Sequence, residues 1–242
     1  MRIAFLSDIH ANLPALAAAL ESAHRHQANR IVVAGDVIGS GRHPAEVIRI
    51  LHEKRAEVIR CNVERRVLRY RERPKAMKRS LKKSSKGHLA WTAAQLGEPE
   101  WEWLQSLPHQ LLLPVGELQV LVVHGSVQSD DDYIFPSVTA EGLRGMMGDA
   151  HPDLLVCGHS HIPFIKVVGG LRVLNCGSVG RPIDGDPRGS YIIANFTRSR
   201  EPHATIVRFH YPMDDLVADV ERRKVPFQVG EEYVKGIKRR GV

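Results

Sequence analysis

Seven side chains able to bind a metal ion fall just past apolar stretches of the sequence. Asp8 and His10 follow residues 2–7, Asp36 follows 30–34, and Asn62 follows 56–60. His124 follows 118–123, and His159 and His161 follow 154–157. Imidazole nitrogens combined with carboxylate and amide oxygens, and no trio of thiolates, suit Mn²⁺, Fe, Zn²⁺, Ni²⁺ or Co²⁺. Seven donors exceed what one tetrahedral ion takes, whereas two ions about 3.5–4 Å apart that share a carboxylate would use them all. Each motif alone has a plainer reading: Asp-x-His arises by chance, Gly35-Asp36 is a turn, and Asn62 is a cap or Asx-turn. It is their conjunction that points to a metal site. The other nine histidines (His24, His26, His43, His52, His88, His109, His151, His203 and His210) read as surface or core residues.

The elements that must position these groups alternate. Residues 2–7 form a strand rich in β-compatible bulk (Ile3, Phe5, Leu6), and a helix follows from Asn12 as N-cap with Pro14 in its first turn. A strand over 30–34, a helix from Pro44 with Val47, Ile48 and Leu51 on one face, and a strand over 56–60 come next. The ligand positions Asp8, Asp36 and Asn62 are 28 and 26 residues apart, one βαβ step each. In a parallel sheet the carboxyl ends of such strands lie side by side, and ligands bind outside them. Residues 64–107 read as helical, ending in a short helix that Gly97-Glu98-Pro99 opens and Pro108 closes. Strand patterns return over 118–123, 154–157, 164–168, 172–174, 191–196 and 205–209, divided by turns such as Gly169-Gly170. A mixed second sheet is expected from them. A last helix and a basic tail are expected over 213–242. Without internal repeats or low-complexity linkers, residues 1–242 read as one domain.

Composition fits a globular chain, with 43% hydrophobic and 25% charged residues. No apolar run reaches the ~20 residues that span a bilayer, and the amino terminus is too short and too polar for a signal peptide. Three unpaired cysteines, Cys61, Cys157 and Cys176, argue against a disulfide framework and for small buried residues in a reducing cytoplasm. Because each adjoins a motif, redox sensitivity is the alternative. The net charge of +7 is concentrated: residues 65–86 hold eleven cations against Glu72 alone, or +10, leaving −3 elsewhere. Such a run is a solvated helix face or a track for nucleic-acid phosphates.

The ordered set Asp8-x-His10, Gly35-Asp36, Asn62, His124-Gly125 and Gly158-His159-Ser160-His161 resembles the calcineurin-like metallophosphoesterases over about residues 1–196. Ser7 to Asn12, Asn175-Cys176-Gly177-Ser178-Val179-Gly180-Arg181-Pro182, and the stretch from Asp184 to Tyr191 make it most similar to the small prokaryotic phosphodiesterases. The resemblance implies a four-layer α/β/β/α sandwich of two mixed sheets with a dinuclear site at the strand ends. It also implies that Asp8, His10 and His161 hold one ion, that Asn62, His124 and His159 hold the other, and that Asp36 bridges. Two divalent transition ions are implied, Mn²⁺ first, and the Gly177-Ser178 turn would support the site from below. Cys61-Asn62-Val63-Glu64 departs from the family's Gly-Asn-His-acid: Val63 stands where many members have a histidine that assists the leaving oxygen. Cys176 stands where proline is common.

Phosphoryl transfer chiefly needs positioning and charge neutralisation, which two cations and the water they activate would supply. A general acid adds ~10²–10⁴-fold, and with Val63 that help must come from elsewhere or from a good leaving group. The expected activity is therefore metal-dependent hydrolysis of small or nucleotide-like phosphodiesters in the cytoplasm. A nuclease that uses residues 65–86 is the alternative. A non-catalytic scaffold of the same fold would be expected to have lost ligands, and none of the seven is missing.

Overall fold

The computed structural model describes residues 1–74, 83–197 and 201–213, with residues 222, 223 and 236 beyond them. Ten strands form two five-stranded sheets. In the first, β1 (Arg2–Leu6) pairs in parallel with β2 (Arg30–Val33), which pairs in parallel with β3 (Glu57–Val58). On its other edge β1 runs antiparallel to β9 (Gly189–Asn195), and β9 to β10 (His203–Phe209). The second sheet has the order β4 (Leu111–Val115), β5 (Leu118–Val122), β6 (Leu154–Cys157), β8 (Leu171–Asn175), β7 (Phe164–Val168), with parallel pairing at β5–β6 and β6–β8.

Alternation along the strands sorts side chains between layers, because successive residues of a strand face opposite sides. Ile3, Phe5 and Val32 meet Val120, Val122, Leu154 and Val156 in a core between the sheets. Ala4, Leu6 and Val33 face the other way, onto α1 (Leu13–Arg25), α2 (Pro44–Glu53), α3 (Asn62–Glu72), α4 (Lys83–Ala94) and α5 (Glu98–Ser106). Leu121, Val123, Leu155 and Cys157 back onto α6 (Ala140–Met147) through Leu143 and Met147. The layers are thus helix, sheet, sheet, helix, as the resemblance implied.

Two elements differ from the sequence expectation and one is shorter. Pro114 obscures β4, yet a proline is tolerated on an edge strand, where an amide has no partner to lose; β4 lies at the edge of its sheet. α6 contains Gly142 and Gly145, which weaken helices. It is held by Thr139 as N-cap, whose hydroxyl accepts from the Gly142 amide at 3.1 Å. β3 pairs at only two residues rather than along 56–60. The helix expected after Met213, and Lys75, Lys78, Arg79 and Lys82 of the basic run, lie outside the described residues. No helix among the described residues is long and apolar enough to cross a membrane.

Candidate metal centre

The loops leaving β1, β2, β5 and β6 converge with the start of α3. Asp8, His10, Asp36 and His161 present ligand atoms all within 4.8 Å of one another, and so do Asp36, His124 and His159. Asp36 belongs to both clusters. Asn62 follows Cys61, whose Sγ lies 2.8 Å from Asp36 Oδ1, and its own side chain is buried with Oδ1 unpartnered by any hydrogen bond. All seven expected ligands are buried.

The backbone turns sharply to aim them. Asp8, His10, Asp36, His159 and His161 all have φ between +50° and +62°. This left-handed region is sparsely populated by non-glycine residues, although Asp and His tolerate it better than most. The turns are braced from below: the Ser178 hydroxyl donates to the Asp8 carbonyl at 2.8 Å, and the Gly180 amide donates to the same oxygen at 3.0 Å. Asp8 Oδ2 accepts from the His159 amide at 2.9 Å and from Ser7 Oγ at 2.7 Å, joining the β1 and β6 loops. A Cβ on Gly158 would overlap both Ser7 Oγ and Asp8 Oδ2, so only glycine permits this approach.

Glu64 ties a third pair of elements. Its Oε1 accepts from the Val37 and Ile38 amides at 2.9 and 3.1 Å, and its Oε2 from the Cys61 amide at 3.2 Å. One buried carboxylate thus fastens the loop carrying Asp36 to the start of the helix carrying Asn62. Burial and the neighbouring charge of Asp36 raise the Glu64 pKa. Burial, Asp36 and Glu64 together raise that of Cys61 well above its usual value, which keeps the thiol protonated and a donor. Cys157 and Cys176 are buried and free as well, their pKa values raised by burial, so the three thiols have the inert character expected of structural cysteines.

The imidazoles are oriented for ligation. His124 Nδ1–H donates to the Ala34 carbonyl at 2.6 Å and His161 Nδ1–H to the Arg181 carbonyl at 2.5 Å. Each Nε2, once a metal displaces any proton it carries, then presents a lone pair, an arrangement typical of metal-bound histidines. Those lone pairs face other imidazoles: His161 Nε2 lies 3.2 Å from His10 Nε2, and His124 Nε2 3.0 Å from His159 Nδ1. Asp8 Oδ1 makes no hydrogen bond and stands 3.0 Å from His161 Nε2. Inward-facing lone pairs, two orphaned oxygens and an oxygen–nitrogen donor set fit divalent cations. Electrostatics agree. Burial disfavours ionised Asp8 and Asp36, yet the surrounding imidazoles hold both well below the usual carboxylate range. Burial likewise opposes a charge on His124, but the fields of Asp36 and Asp8 push its pKa up to about 10. The buried carboxylates thus demand compensating positive charge, which a proton on His124 supplies without metal.

A model of the calcineurin-like phosphoesterase superfamily domain matches residues 1–199. The chain belongs to that superfamily. It is 27% identical to an uncharacterized protein of Methanocaldococcus jannaschii over 254 residues, spanning 97% of this chain and 98% of that one. It superposes on the crystal structure of a metallophosphoesterase from Sphaerobacter thermophilus with a TM-score of 0.77 and 27% identity, over 98% and 99% of the two chains. A hypothetical protein from Pyrococcus horikoshii OT3 shares the fold at a TM-score of 0.86 and 22% identity, over 98% and 99%. Calcineurin-like phosphoesterases are hydrolases that typically bind divalent metals, and the two clusters here are of a kind that could bind them.

Two side chains near the centre escaped the sequence reading. His88, grouped there with histidines of no role, accepts from the Ser40 amide through Nε2 at 2.6 Å. It sits with Val63 around Gly39, and burial together with the fields of His10 and Arg181 lowers its pKa to about 4. Tyr133 packs its ring 4.2 Å from that of His159. The basic run is also less free than its charge implied. Arg65 pairs with Asp130 and Asp131, Arg66 with Asp131, and Arg71 with Glu98 and the face of Trp101. Arg69 and Arg73 are exposed.

Proposed function

We propose that this chain is a phosphodiesterase of small or nucleotide-like diesters. In it Asp8, His10 and His161 would hold one divalent ion, Asn62, His124 and His159 would hold a second, and Asp36 would serve both. The observation that carries the reading is the membership of Asp36 in both ligand clusters, since a shared carboxylate is what two adjacent cations require. When bound, such ions neutralise phosphate oxygens and lower the pKa of water enough to provide a nucleophile at neutral pH.

The protein's own residues set the rest. The Ala34 and Arg181 carbonyls fix the tautomers of His124 and His161. Glu64 and Cys61 hold Asp36 and Asn62 in register. Val63 offers no proton to a leaving oxygen, and burial lowers the pKa of neighbouring His88 to about 4, which leaves it neutral at pH 7. The chain therefore depends on substrates whose leaving group departs without much help, and aryl diesters, or nucleotide diesters whose other ester group leaves as a stabilised anion, meet that condition. The pairing of Arg65, Arg66 and Arg71 removes three cations from any phosphate track, which favours small substrates over nucleic acid. Manganese is our first choice among the divalent transition ions that an oxygen–nitrogen donor set suits, and the buried free thiols suit a reducing, cytoplasmic setting.

The test is a panel of aryl and alkyl mono- and diesters, cyclic nucleotides and short RNA and DNA, assayed with chelator-stripped protein reloaded with Mn²⁺. Aryl diesters should be cleaved well ahead of alkyl monoesters. Turnover confined to monoesters, or none at all by folded, loaded protein, overturns the proposal.

A further inference from the structure

The loop between β5 and α6 carries two large aromatic rings outward beside the metal centre. Tyr133 and Phe135 are 45% and 41% exposed, and their rings stack with centroids 5.5 Å apart and planes only 4° from parallel. Tyr133 also leans on His159, with centroids 4.2 Å apart. Exposed aromatic surface is costly in water, and this pair does not fill a gap in the core. Ile134, between them, does: it is fully buried in the cluster beneath α6, and its carbonyl accepts from Asn175 Nδ2 at 3.3 Å.

The loop is built rather than loose. Ser126 Oγ donates to Asp132 Oδ2 at 2.6 Å, the Ser126 amide to the Ser129 carbonyl at 2.8 Å, and the Asp132 amide to the same carbonyl at 3.3 Å. A Cβ at Gly125 would strike the Asp132 and Ser129 backbone, so the tight path of the loop relies on that glycine. The two rings are thereby preorganised beside a candidate ligand.

A cavity of about 480 Å³ opens next to His124, lined by Ser126, Gln128, Ser129 and Gln110, with Arg65 and its partners Asp130 and Asp131 at the wall. These polar groups, two carboxylates among them, suit hydroxyls and ring nitrogens rather than an acyl chain. Arg65 brings no free positive charge there, being held by Asp130 and Asp131, so nothing in this lining calls for a second phosphate.

Taking the phosphoesterase reading as its basis, we infer that Tyr133 and Phe135 form a stacking platform for the base of a substrate that carries one nucleoside on the scissile phosphate. A flat ring meets a flat ring whichever base it is, because every base has a π-face. The polar cavity beside His124, which neither ring lines, receives hydroxyls of the substrate. The substrate class is a mononucleotide diester rather than a polynucleotide or a simple alkyl ester.

The experiment measures binding of adenosine 5′-monophosphate and of methyl phosphate to Mn²⁺-loaded protein by titration calorimetry, for wild type, Tyr133→Ala and Tyr133→Phe. The ratio of the two affinities is the readout, so that any change at the metal through His159 cancels. The wild type should favour the nucleotide, and Tyr133→Ala should cut that preference by about 5- to 150-fold, the range of one lost base–aromatic stack. Tyr133→Phe should keep it. Circular dichroism checks that the variants fold. Equal affinities in the wild type, an unchanged ratio in Tyr133→Ala, or no nucleotide binding by an enzyme that cleaves aryl diesters would each overturn the platform and leave the phosphoesterase reading standing. Protein that binds neither ligand and cleaves no ester would overturn both.

Discussion

Replacing Glu64 tests whether the centre is held together from behind. In Glu64→Ala the Val37, Ile38 and Cys61 amides lose their buried acceptor. Each buried donor left unpaired costs about 1–3 kcal/mol. Two of the three share one oxygen and the loop can relax, so the low end applies, about 3–5 kcal/mol in all. For a chain of this length 1 kcal/mol moves Tm by about 2–4 °C, which gives a fall of about 6–20 °C. Glu64→Gln keeps an oxygen for Val37 and Ile38 but sets its amide donor against the Cys61 N–H. One bond is lost and two donors face each other, for about 1–3 kcal/mol or about 2–12 °C. The assay is thermal unfolding of chelator-stripped protein, followed by titration with Mn²⁺. Because Glu64 fixes the loop of Asp36 against the helix of Asn62, metal affinity should also drop by about 10- to 100-fold, as for other groups that orient ligands. An alanine variant that melts within 2 °C of wild type (about 1 kcal/mol or less) and binds metal unchanged would refute the clamp.

Two further outcomes follow from the site. The His124 pKa, pushed up to about 10 without metal, must fall when the imidazole becomes a ligand, so metal binding at pH 7.5 should release about one proton from it. Calorimetry in buffers of different ionisation enthalpy reads that proton, and affinity should climb with pH until His124 titrates; heats that do not depend on the buffer would contradict this. The absent imidazole at Val63 should make the rate steeply dependent on leaving-group pKa, and Val63→His should help poor leaving groups more than nitrophenolate. A flat dependence in wild type, with chemistry rate-limiting, would show that another group supplies the proton.

The candidate ligands could be read from the sequence because strand ends are where an alternating or continuous apolar run stops, and Asp8, Asp36, His124 and His159 each stand at such a stop. The left-handed backbone at Asp8, Asp36 and His159 could not be read, since φ near +55° leaves no mark on an Asp or His in the sequence. Pro114 hid an edge strand and the glycines of 142–148 hid a helix, because local propensity argues against each and tertiary pairing overrides it. The basic run was visible as charge, but the partners of Arg65 and Arg66 lie about 65 residues away at Asp130 and Asp131, beyond any periodic pattern. For the same reason His88 and Tyr133 looked ordinary: the nearness of each to the centre is a tertiary fact, and residues 124–139 follow neither the helix nor the strand period.

Whether Asp36 joins two metal ions is read by elemental analysis of reconstituted protein. Folded wild type stripped with chelator and reloaded with Mn²⁺ or Zn²⁺ should carry about two ions per chain, and Asp36→Ala should lose more metal than any other single ligand variant, since it alone touches both. Wild-type protein that folds and retains no metal, or an Asp36→Ala variant that still holds two ions, would show that Asp36 joins no metal pair.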